Sequence, residues 1–255
     1  MEMNYIELEE TSSTNTYLQG IASEAPHATV VSARRQTAGR GQRGNTWESA
    51  PGQNVTMSLL LRPAVAPARQ FLLSEAVALA VVHTLDGYLE EPASVKWPND
   101  IYVGDRKICG LLIEHSLSGG RINYTIAGIG LNVNQREFFS DAPNPVSVWQ
   151  LTGREFPVGD VVRQIAEEAV RLCDALPDRM EATHSEFLSR LYRREGFCQY
   201  RATICSSPVV GATELPVGTR FEARIVGVAG DGILTLGLRD GSLHRFAFKE
   251  VEFLL

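Results

Sequence analysis

The chain has 255 residues, of which 44% are hydrophobic and 21% are charged, which is the composition of an ordinary globular protein with a substantial core. Its formal net charge is −6, so the molecule as a whole repels a phosphate backbone, and composition argues against a nucleic-acid-binding protein. Any anionic ligand must therefore be held by a local basic patch.

The cysteines stand at positions 109, 173, 198 and 205, without the spacing of metal ligands. They are predicted to be reduced and mostly buried thiols. No signal peptide and no long uncharged apolar stretch is visible, so we expect a cytoplasmic protein without a membrane segment.

The first third of the chain mixes strand and helix signals. A polar cluster at 11–15 resembles a loop that caps a helix, and residues 28–33 and 54–61 are predicted strands. Apolar residues at helical spacing predict a helix over 69–89. His83 lies within that pattern and is interpreted as a satisfied core or helix-edge histidine rather than a ligand.

The middle of the chain is predicted to form β-hairpins followed by helices. Strands joined by hairpins occupy 95–134, with turns at the Gly104-Asp105 and Gly119-Gly120 pairs. Two amphipathic helices follow near 160–176 and 179–194, and Gly196 stands where a glycine stop is expected.

The last sixty residues change character, because short apolar runs there alternate with glycine turns. They predict a second, small β-barrel domain at 197–255 after a mixed α+β domain at 1–196. Its predicted strands are 221–228, 233–238, 243–248 and 251–254, with a turn at 230–232.

The segment at 39–47, with sequence GRGQRGNTW, packs three glycines, two arginines and a tryptophan into nine positions. Glycines let backbone N–H groups approach a phosphate, and arginines supply charge-assisted hydrogen bonds to it. The segment is therefore a candidate anion-binding loop. A basic surface loop without a ligand would have the same sequence, and the segment is neither a GxGxxG nor a Walker A motif.

A second candidate segment is KWPND at 96–100, followed by Lys107 in RKICG at 106–110. Asn99 and Asp100 are suited to ribose hydroxyls or a Mg²⁺ ion, and Lys107 offers a charge for a phosphate or carboxylate. A plain turn after Pro98 and a solvated hairpin arm are the alternatives.

The third segment, GIGLNVN at 128–134, places Gly128 and Gly130 inside an apolar strand. Such glycines weaken a strand unless another group must approach the backbone closely. A ligand lying across the strand would explain them, and so would β-bulges.

The joint order of Ser13-Thr14-Asn15, GRGQRGNTW, KWPND, RKICG and GIGLNVN resembles the motif set of biotin protein ligases, over roughly the first half of the chain. The resemblance implies an α+β fold with a mixed β-sheet catalytic domain of the class II aminoacyl-tRNA synthetase and biotin ligase type. The C-terminal strands are similar to the family's small SH3-like β-barrel.

The resemblance also implies site residues. Arg40 and Lys107 would be catalytic. The biotin site would comprise Ser13, Thr14, Gln36, Gly39, Arg40, Lys107, Gly110, Gly128 and Gly130, and the ATP site Gln42, Arg43, Gly44, Asn45, Trp47, Asn99, Asp100, Lys107 and Asn132. Asp100 would be the candidate Mg²⁺ ligand.

Two features depart from some members of the family. Some relatives carry an arginine where this chain has Gln42, which affects how the intermediate would be retained. The first motif begins within the opening dozen residues, so a monofunctional ligase without an N-terminal helix-turn-helix domain is expected.

The implied chemistry has two steps. The biotin carboxylate attacks the α-phosphate of ATP, with Mg²⁺ as cofactor, and a lysine of a biotin carboxyl carrier protein then attacks the mixed anhydride. Nucleic acid and membrane are not expected partners, and a homodimer is left open. A lipoate-protein ligase and a non-catalytic biotin-sensing regulator are the alternative functions.

Overall fold

The structure, a computed structural model, describes residues 3–41, 46–139 and 144–254. Within these residues, strands and helices alternate in the first two thirds of the chain, and strands alone follow. The strands are β1 (Asn4–Thr11), β2 (Thr29–Gln36), β3 (Val55–Leu61), β4 (Ala93–Lys96), β5 (Asp100–Val103), β6 (Arg106–Ser118), β7 (Arg121–Leu131), β8 (Cys198–Ala202), β9 (Arg220–Val228), β10 (Leu234–Leu238), β11 (Leu243–Phe246) and β12 (Val251–Phe253). The helices are α1 (Thr14–Ile21), α2 (Phe71–Asp86), α3 (Val148–Thr152) and α4 (Val158–Ser189).

Seven strands form a mixed sheet in the order β1-β2-β3-β7-β6-β5-β4. Only the β1–β2 pair is parallel within the described residues, because α1 provides the crossover between these two strands. All seven residues of β3 are buried. One apolar cluster contains Leu18 of α1 with Leu60 of β3, and the other contains Leu59 with α2 and α4. Burial on both faces explains why β3 has a continuous apolar sequence.

The mixed α+β architecture predicted from sequence is confirmed. Strand β1 was missed, because its sequence carries Glu7, Glu9 and Glu10, whereas strands are usually depleted in glutamate. Its position at the sheet edge leaves these three glutamates exposed. The short α3 was missed as well, although Ser147 and Gln150 form a capping box at its start.

Helix α2 is buried almost all round, with thirteen of its sixteen residues in the core. Among the described residues, Pro67–Asp86 is the one helical segment with the length and hydropathy of a membrane span, although it is not uncharged, since it carries Arg69, Glu75 and Asp86. Of its most apolar window, 72% is buried inside the protein, which is the pattern of a core helix.

Helix α4 spans Val158 to Ser189, but its backbone is non-helical at Arg179, two residues after Pro177, so it consists of two helices joined at a kink. The prediction of two helices near 160–176 and 179–194 is therefore confirmed, except at the C-terminal end of the second helix. The predicted stop at Gly196 is wrong. The chain leaves the helix at Ser189 because Val95 of β4 accepts and donates backbone hydrogen bonds with Tyr192 and Arg190.

The C-terminal strands form an antiparallel sheet in the order β11-β10-β9-β8-β12, consistent with the predicted SH3-like domain. The four predicted strands are confirmed with small shifts at their ends, and β8 was missed. Strand β11 ends at Phe246, so that Phe248 instead packs against Trp97 and Phe71. The division of the chain near residue 196 stays a prediction.

The four cysteines lie within the described residues and are free thiols. Cys109 and Cys173 are buried, and burial raises the pKa of both thiols. Cys198 is half-buried and Cys205 is exposed, so the prediction of mostly buried thiols holds for only two of them.

Histidines join α2 to α4. His83 lies 2.7 Å from both Glu168 and Glu186, as expected for a satisfied helix-edge histidine. Burial alone would lower its pKa, but the hydrogen bonds to these two carboxylates outweigh burial and raise the pKa.

Glu75 on α2 is fully buried, and its Oε1 lies 2.9 Å from Nδ1 of His184 on α4. Its Oε2 has no hydrogen-bond partner among the residues described. Burial raises the pKa of Glu75 from 4.5 to about 7, against the opposing effect of the hydrogen bond to His184. Between pH 4.5 and 7 the unfolded chain therefore loses this proton before the folded protein does, and stability falls as the pH rises through that window.

Glu75→Gln removes the ionisation and keeps the side-chain size. We expect the variant to exceed the wild type in free energy of unfolding by about 1–3 kcal/mol at pH 8, with a much smaller difference near pH 5. Urea denaturation at pH 5, 6, 7 and 8 measures the difference. A difference that stays constant with pH would show that Glu75 does not ionise in this window.

Candidate functional site

A cavity of about 750 Å³ lies between the central sheet and the C-terminal sheet. Eleven of the site residues proposed from sequence line it, so segments distant in the chain meet at one place. These residues are Ser13, Thr14, Gln36, Arg40, Trp47, Asn99, Asp100, Lys107, Gly110, Gly128 and Gly130.

The sheet register explains part of this convergence. Gly110 of β6 is paired with Gly130 of β7, and Gly128 of β7 is paired with Ser58 of β3. Because side chains alternate along a strand, Gly128 and Gly130 open the same face of the sheet. The start of α1 and the end of β2 add Thr14 and Gln36 beside this face.

A hydrogen-bonded network connects the start of α1 to the sheet. Gln36 Oε1 accepts from the backbone N of Thr14 at 2.8 Å and from its hydroxyl at 3.2 Å. The Ser58 hydroxyl lies 2.7 Å from Thr14 Oγ1 and 2.5 Å from Asn15 Oδ1. Asn15 Nδ2 in turn donates to Glu114 Oε2 at 2.8 Å. These contacts fix the polar groups at this end of the cavity.

Ser13 precedes α1 with extended backbone, as expected for a cap, but its side chain makes no capping hydrogen bond within the structure described. The backbone part of the capping prediction is therefore confirmed, and the side-chain part is wrong. The Ser13 residue is almost fully buried and lines the cavity, so its side chain borders the cavity and does not cap the helix.

The glycines of the cavity are covered by protein side chains. A Cβ built on Gly130 would lie 2.5 Å from Trp47 Cε2, and one on Gly110 would lie 3.0 Å from Trp47 Cζ3. A Cβ on Gly128 would lie 2.3 Å from Asn15 Oδ1. The sequence left a ligand or β-bulges as explanations of Gly128 and Gly130, and in the structure the close approach to the backbone is made by Trp47 and Asn15. The buried Trp47 Nε1 has no partner among the described residues and is available as a donor.

The two cations predicted to act on the reacting groups are both oriented by carboxylates. Arg40 Nη2 lies 2.9 Å from Glu114 Oε1, with both side chains more than a third exposed. Lys107 Nζ lies 2.7 Å from Asp100 Oδ1, and each of these side chains is 22% exposed. Exposed pairs are weak, so an anion entering the cavity can compete with Glu114 for Arg40.

The Lys107 backbone is held independently of its side chain. Its N–H donates to Asn144 O at 2.9 Å, and its carbonyl accepts from Val146 N at 2.9 Å. The side chain extends over the Trp47 ring, with Nζ 5.7 Å from the ring centroid, where a cation–π attraction acts.

Residues 97–100 of the KWPND segment are held by hydrogen bonds to β6 and to the C-terminal region. Asn99 Nδ2 donates to Leu111 O at 2.6 Å, and Leu111 N donates to Asn99 O at 2.9 Å. Trp97 is buried and its Nε1 donates to Gly232 O of the C-terminal region at 2.9 Å. These contacts hold Asp100, the first residue of β5, beside Lys107 of β6.

Two residues proposed for the site do not line the cavity. Gly39 instead approaches the Trp47 backbone, where an added Cβ would lie 2.8 Å from Trp47 O. Asn132 is buried and donates to Val146 O at 3.0 Å, and its Oδ1 has no partner in the described part of the chain. Gln42, Arg43, Gly44 and Asn45 lie outside the described residues.

The C-terminal sheet supplies a wall that the sequence did not predict. Lys96 belongs to the predicted KWPND motif but was given no role there. Its Nζ donates to the Tyr102 hydroxyl at 3.0 Å and lies 5.7 Å from the Phe253 ring centroid. Burial lowers the pKa of Lys96, against the opposing charge of Asp100. The C-terminal lining residues are Thr203, Arg220, Lys249, Val251, Glu252, Phe253 and Leu254.

No preformed metal cage is present in the part of the chain that the structure describes, since no group of three or more His, Cys, Asp and Glu side chains is placed to hold an ion. Of the described residues that line the cavity, Asp100 and Glu252 carry carboxylates. Mg²⁺ commonly uses one or two carboxylates together with substrate phosphates, so this donor set fits a metal that arrives with a nucleotide.

Comparison with known proteins gives matches over most of the chain. Residues 7–132 match the model of the biotin/lipoate A/B protein ligase family. The bifunctional ligase/repressor BirA of Bacillus spizizenii is 30% identical over 237 residues, which are 90% of this chain and 68% of that protein. The biotin–[acetyl-CoA-carboxylase] ligase of Paracoccus denitrificans is 37% identical over 129 residues.

Other matches cover less of the relative. The alignment with the Paracoccus protein spans 49% of this chain and 53% of that protein. BirA of Escherichia coli is 35% identical over 124 residues, which are 49% of this chain and 39% of that protein. The chain thus spans about half or less of the length of these two relatives in the matched regions.

Solved structures share the fold across the chain. The biotin protein ligase from Aquifex aeolicus in complex with biotin and ATP superposes with a TM-score of 0.76 at 24% identity, covering 98% of both chains. The biotin protein ligase from Leishmania major in complex with biotinyl-5-AMP has a TM-score of 0.59 at 23% identity, covering 97% of this chain and all of that one.

Proposed function

The chain belongs to the biotin/lipoate A/B protein ligase family, and on that premise we propose that it converts biotin and ATP into biotinyl-5′-AMP and transfers the biotin to a lysine of a biotin carboxyl carrier protein. The observation that carries this proposal is the convergence of Arg40, Lys107, Trp47 and Asp100 with the Thr14–Gln36 network on one cavity. A volume of about 750 Å³ is in the range that encloses a ligand of this size.

Adenylation needs no protein nucleophile. The biotin carboxylate attacks the α-phosphorus of ATP, the bond to the β-phosphate oxygen breaks, and pyrophosphate leaves. Catalysis then depends on holding two anions together and stabilising charge on the α-phosphate. Arg40 and Lys107 are the cations for this task, since both line the cavity.

The biotin end of the cavity is assigned to the polar network at α1. The Ser13, Thr14 and Gln36 side chains offer hydroxyl and amide groups beside the glycine face at Gly128. Such fixed polar groups suit a ureido ring, which requires donors and acceptors in a defined arrangement. A long acyl chain would instead require an extended apolar channel.

The nucleotide end is assigned to Trp47, Asn99 and Asp100. Trp47 would present its ring to the adenine after leaving the Gly110–Gly130 face that it now covers. Mg²⁺ would be held by Asp100 and phosphate oxygens and would neutralise phosphate charge. Asn132, which the resemblance also implies for this site, is buried outside the cavity lining, and its side-chain Oδ1 lacks a partner among the described residues.

We expect biotin to support the exchange of labelled pyrophosphate into ATP, and lipoate and octanoate to support it at less than about one hundredth of that rate, because the site loses paired hydrogen bonds with an acid that lacks the ureido ring. The measurement is the exchange rate at saturating ATP with each acid. The control omits the acid.

Equal exchange with lipoate would assign the chain to lipoate ligation. Tight biotin binding without any exchange would instead indicate a biotin-sensing regulator. A carrier domain with its acceptor lysine replaced by arginine separates the second step, since it leaves exchange unchanged and abolishes protein labelling.

A further inference from the structure

Glu114 of β6 links a cation of the cavity to the polar network at the start of α1. Its Oε1 accepts from Arg40 Nη2 at 2.9 Å, and its Oε2 accepts from Asn15 Nδ2 at 2.8 Å. Asn15 is bonded in turn to Ser58, and Ser58 to Thr14. One unbroken line of hydrogen bonds therefore joins Arg40 to the end of the cavity that is assigned to biotin.

The sheet register places Glu114 on the cavity face of β6. Positions 110, 112 and 114 alternate along the strand and face the same side of the sheet, and the first two of them line the cavity. Leu112 is paired with Gly128, whose missing Cβ gives Asn15 room to lie over the sheet. Asn15 Nδ2 also donates to Leu112 O at 3.3 Å. The amide that holds Glu114 is therefore itself fixed to the sheet.

The two ends of this line of hydrogen bonds differ in exposure. Thr14, Asn15 and Ser58 are at most 4% exposed, so a bond lost among them leaves a buried polar group without a partner. The Arg40 and Glu114 side chains are 46% and 36% exposed, and ion pairs at such positions are weak. The contact between Arg40 and Glu114 is therefore the one that a ligand can replace most easily.

Glu114 offers Arg40 the same chemical group as the proposed substrate. Both groups are carboxylates, which a guanidinium binds through charge-assisted hydrogen bonds. Arg40 lines the cavity and Glu114 does not, so Glu114 acts on a ligand through Arg40. A carboxylate that enters the cavity and binds Arg40 must take it from Glu114, whereas a neutral ligand leaves the pair intact.

We propose that Glu114 is a positioning residue, which holds Arg40 in the empty site as an internal substitute for the substrate carboxylate and releases it when biotin binds. The inference rests on the proposed function, which brings a carboxylic acid into this cavity. Because Asn15 still holds Glu114 after the exchange, Arg40 has a fixed place to which it returns when the product leaves. Glu114 thus lowers the affinity for the acid and keeps Arg40 in position between turnovers.

Glu114→Gln tests the exchange, because it removes the charge that Arg40 contacts and keeps an amide oxygen that can accept from Asn15. We expect this variant to bind biotin about two- to fivefold more tightly than the wild type, which is the size of a weak exposed ion pair. Biotinamide, which has a neutral amide in place of the carboxylate, should bind within about twofold of the wild type. Isothermal titration without ATP measures both affinities.

Two further variants separate the charge of Glu114 from its place in the network. Glu114→Ala also removes an acceptor of the buried Asn15 amide, so it should bind both ligands more weakly than Glu114→Gln does. In an Arg40→Gln background, Glu114→Gln should change the biotin affinity by less than about twofold, because no cation remains to be released.

Glu10→Gln is the matched control. Glu10 of β1 forms an exposed ion pair of 2.6 Å with Arg35 of β2, and neither residue lines the cavity. The variant removes one negative charge and one arginine–glutamate pair from the protein, as Glu114→Gln does. It should bind biotin and biotinamide like the wild type.

Unchanged or weaker biotin binding in Glu114→Gln would overturn the inference, because Glu114 would then not compete with the substrate for Arg40. An equal gain for biotin and biotinamide would also overturn it, as would a gain that persists in the Arg40→Gln background. The titrations use no ATP and are separate from the ligase reaction. A protein that shows the expected affinities but no pyrophosphate exchange would keep this role of Glu114 and lose the ligase assignment.

Discussion

Lys107→Ala is expected to lower the rate of biotinyl-adenylate formation by about 10²- to 10³-fold, the usual loss when one group that stabilises transition-state charge is removed. The fold should persist, because the backbone of Lys107 is held by Asn144 and Val146, and its side chain contacts the partly exposed Asp100 and the Trp47 ring. The change in free energy of unfolding should stay within about 1 kcal/mol. Single-turnover adenylation and urea denaturation measure the two effects.

Arg106→Ala is the matched control. Arg106 is the exposed cation next to Lys107 on β6, and it does not line the cavity. The variant should leave adenylation unchanged. If Lys107→Ala retained near-normal turnover, Lys107 would be a solvated hairpin residue that only neutralises Asp100. If both variants lost activity, the cause would be the hairpin and not the charge of Lys107.

Gly128→Ala is expected to weaken biotin binding by tenfold or more, because its Cβ would lie 2.3 Å from Asn15 Oδ1. No packed atom tolerates that distance, so Asn15 must leave its place and the bonds from Ser58 and to Glu114 are lost. Breaking such a buried network costs about 1–3 kcal/mol, and the group it positions, Thr14, lines the proposed biotin site. Biotin titration and thermal unfolding test the expectation.

Gly227→Ala separates this effect from the general cost of replacing a strand glycine, because a Cβ at Gly227 of β9 meets no atom within 4 Å. The control should bind biotin normally. Adding Asn15→Ala to Gly128→Ala removes the side chain that clashes with the new Cβ. The double variant should therefore regain part of the thermal stability that Gly128→Ala loses. Normal biotin affinity in Gly128→Ala alone would show that the network does not position the biotin site.

Much of the central sheet could be predicted from sequence, because its signals are local. The β5–β6 hairpin follows from the Gly104-Asp105 turn, where Gly104 has a φ of +55°, and the strand alternation around it. Helix α2 follows from its apolar spacing. Failures occurred where a distant partner decided the outcome, as when Val95 paired with Arg190 and Tyr192 and ended α4 before Gly196.

The candidate site was likewise predictable from local sequence only in part. Sequence motifs placed Arg40, Lys107, Asp100 and the glycines of β7 in one site, and the structure brings them to one cavity. Ser58 and Glu114 were missed, and Asn15 was part of a motif but was given no role, since these three residues come from different segments and meet only through the register of the sheet. The reason for a glycine at position 130 also lies in the packing, because the Trp47 ring lies directly against its backbone.

The sequence by itself determined which residue types can bind an anion, where the turns fall and which strands are apolar on both faces, because these properties depend on a residue and its near neighbours. Only the tertiary structure decided that the C-terminal sheet forms a wall of the cavity, through Trp97 bonded to Gly232 and through Arg220 and Lys249 in its lining. Residues 97 and 232 are joined by the packing of two sheets. Contacts of that kind depend on how whole surfaces fit together, and no local pattern encodes them.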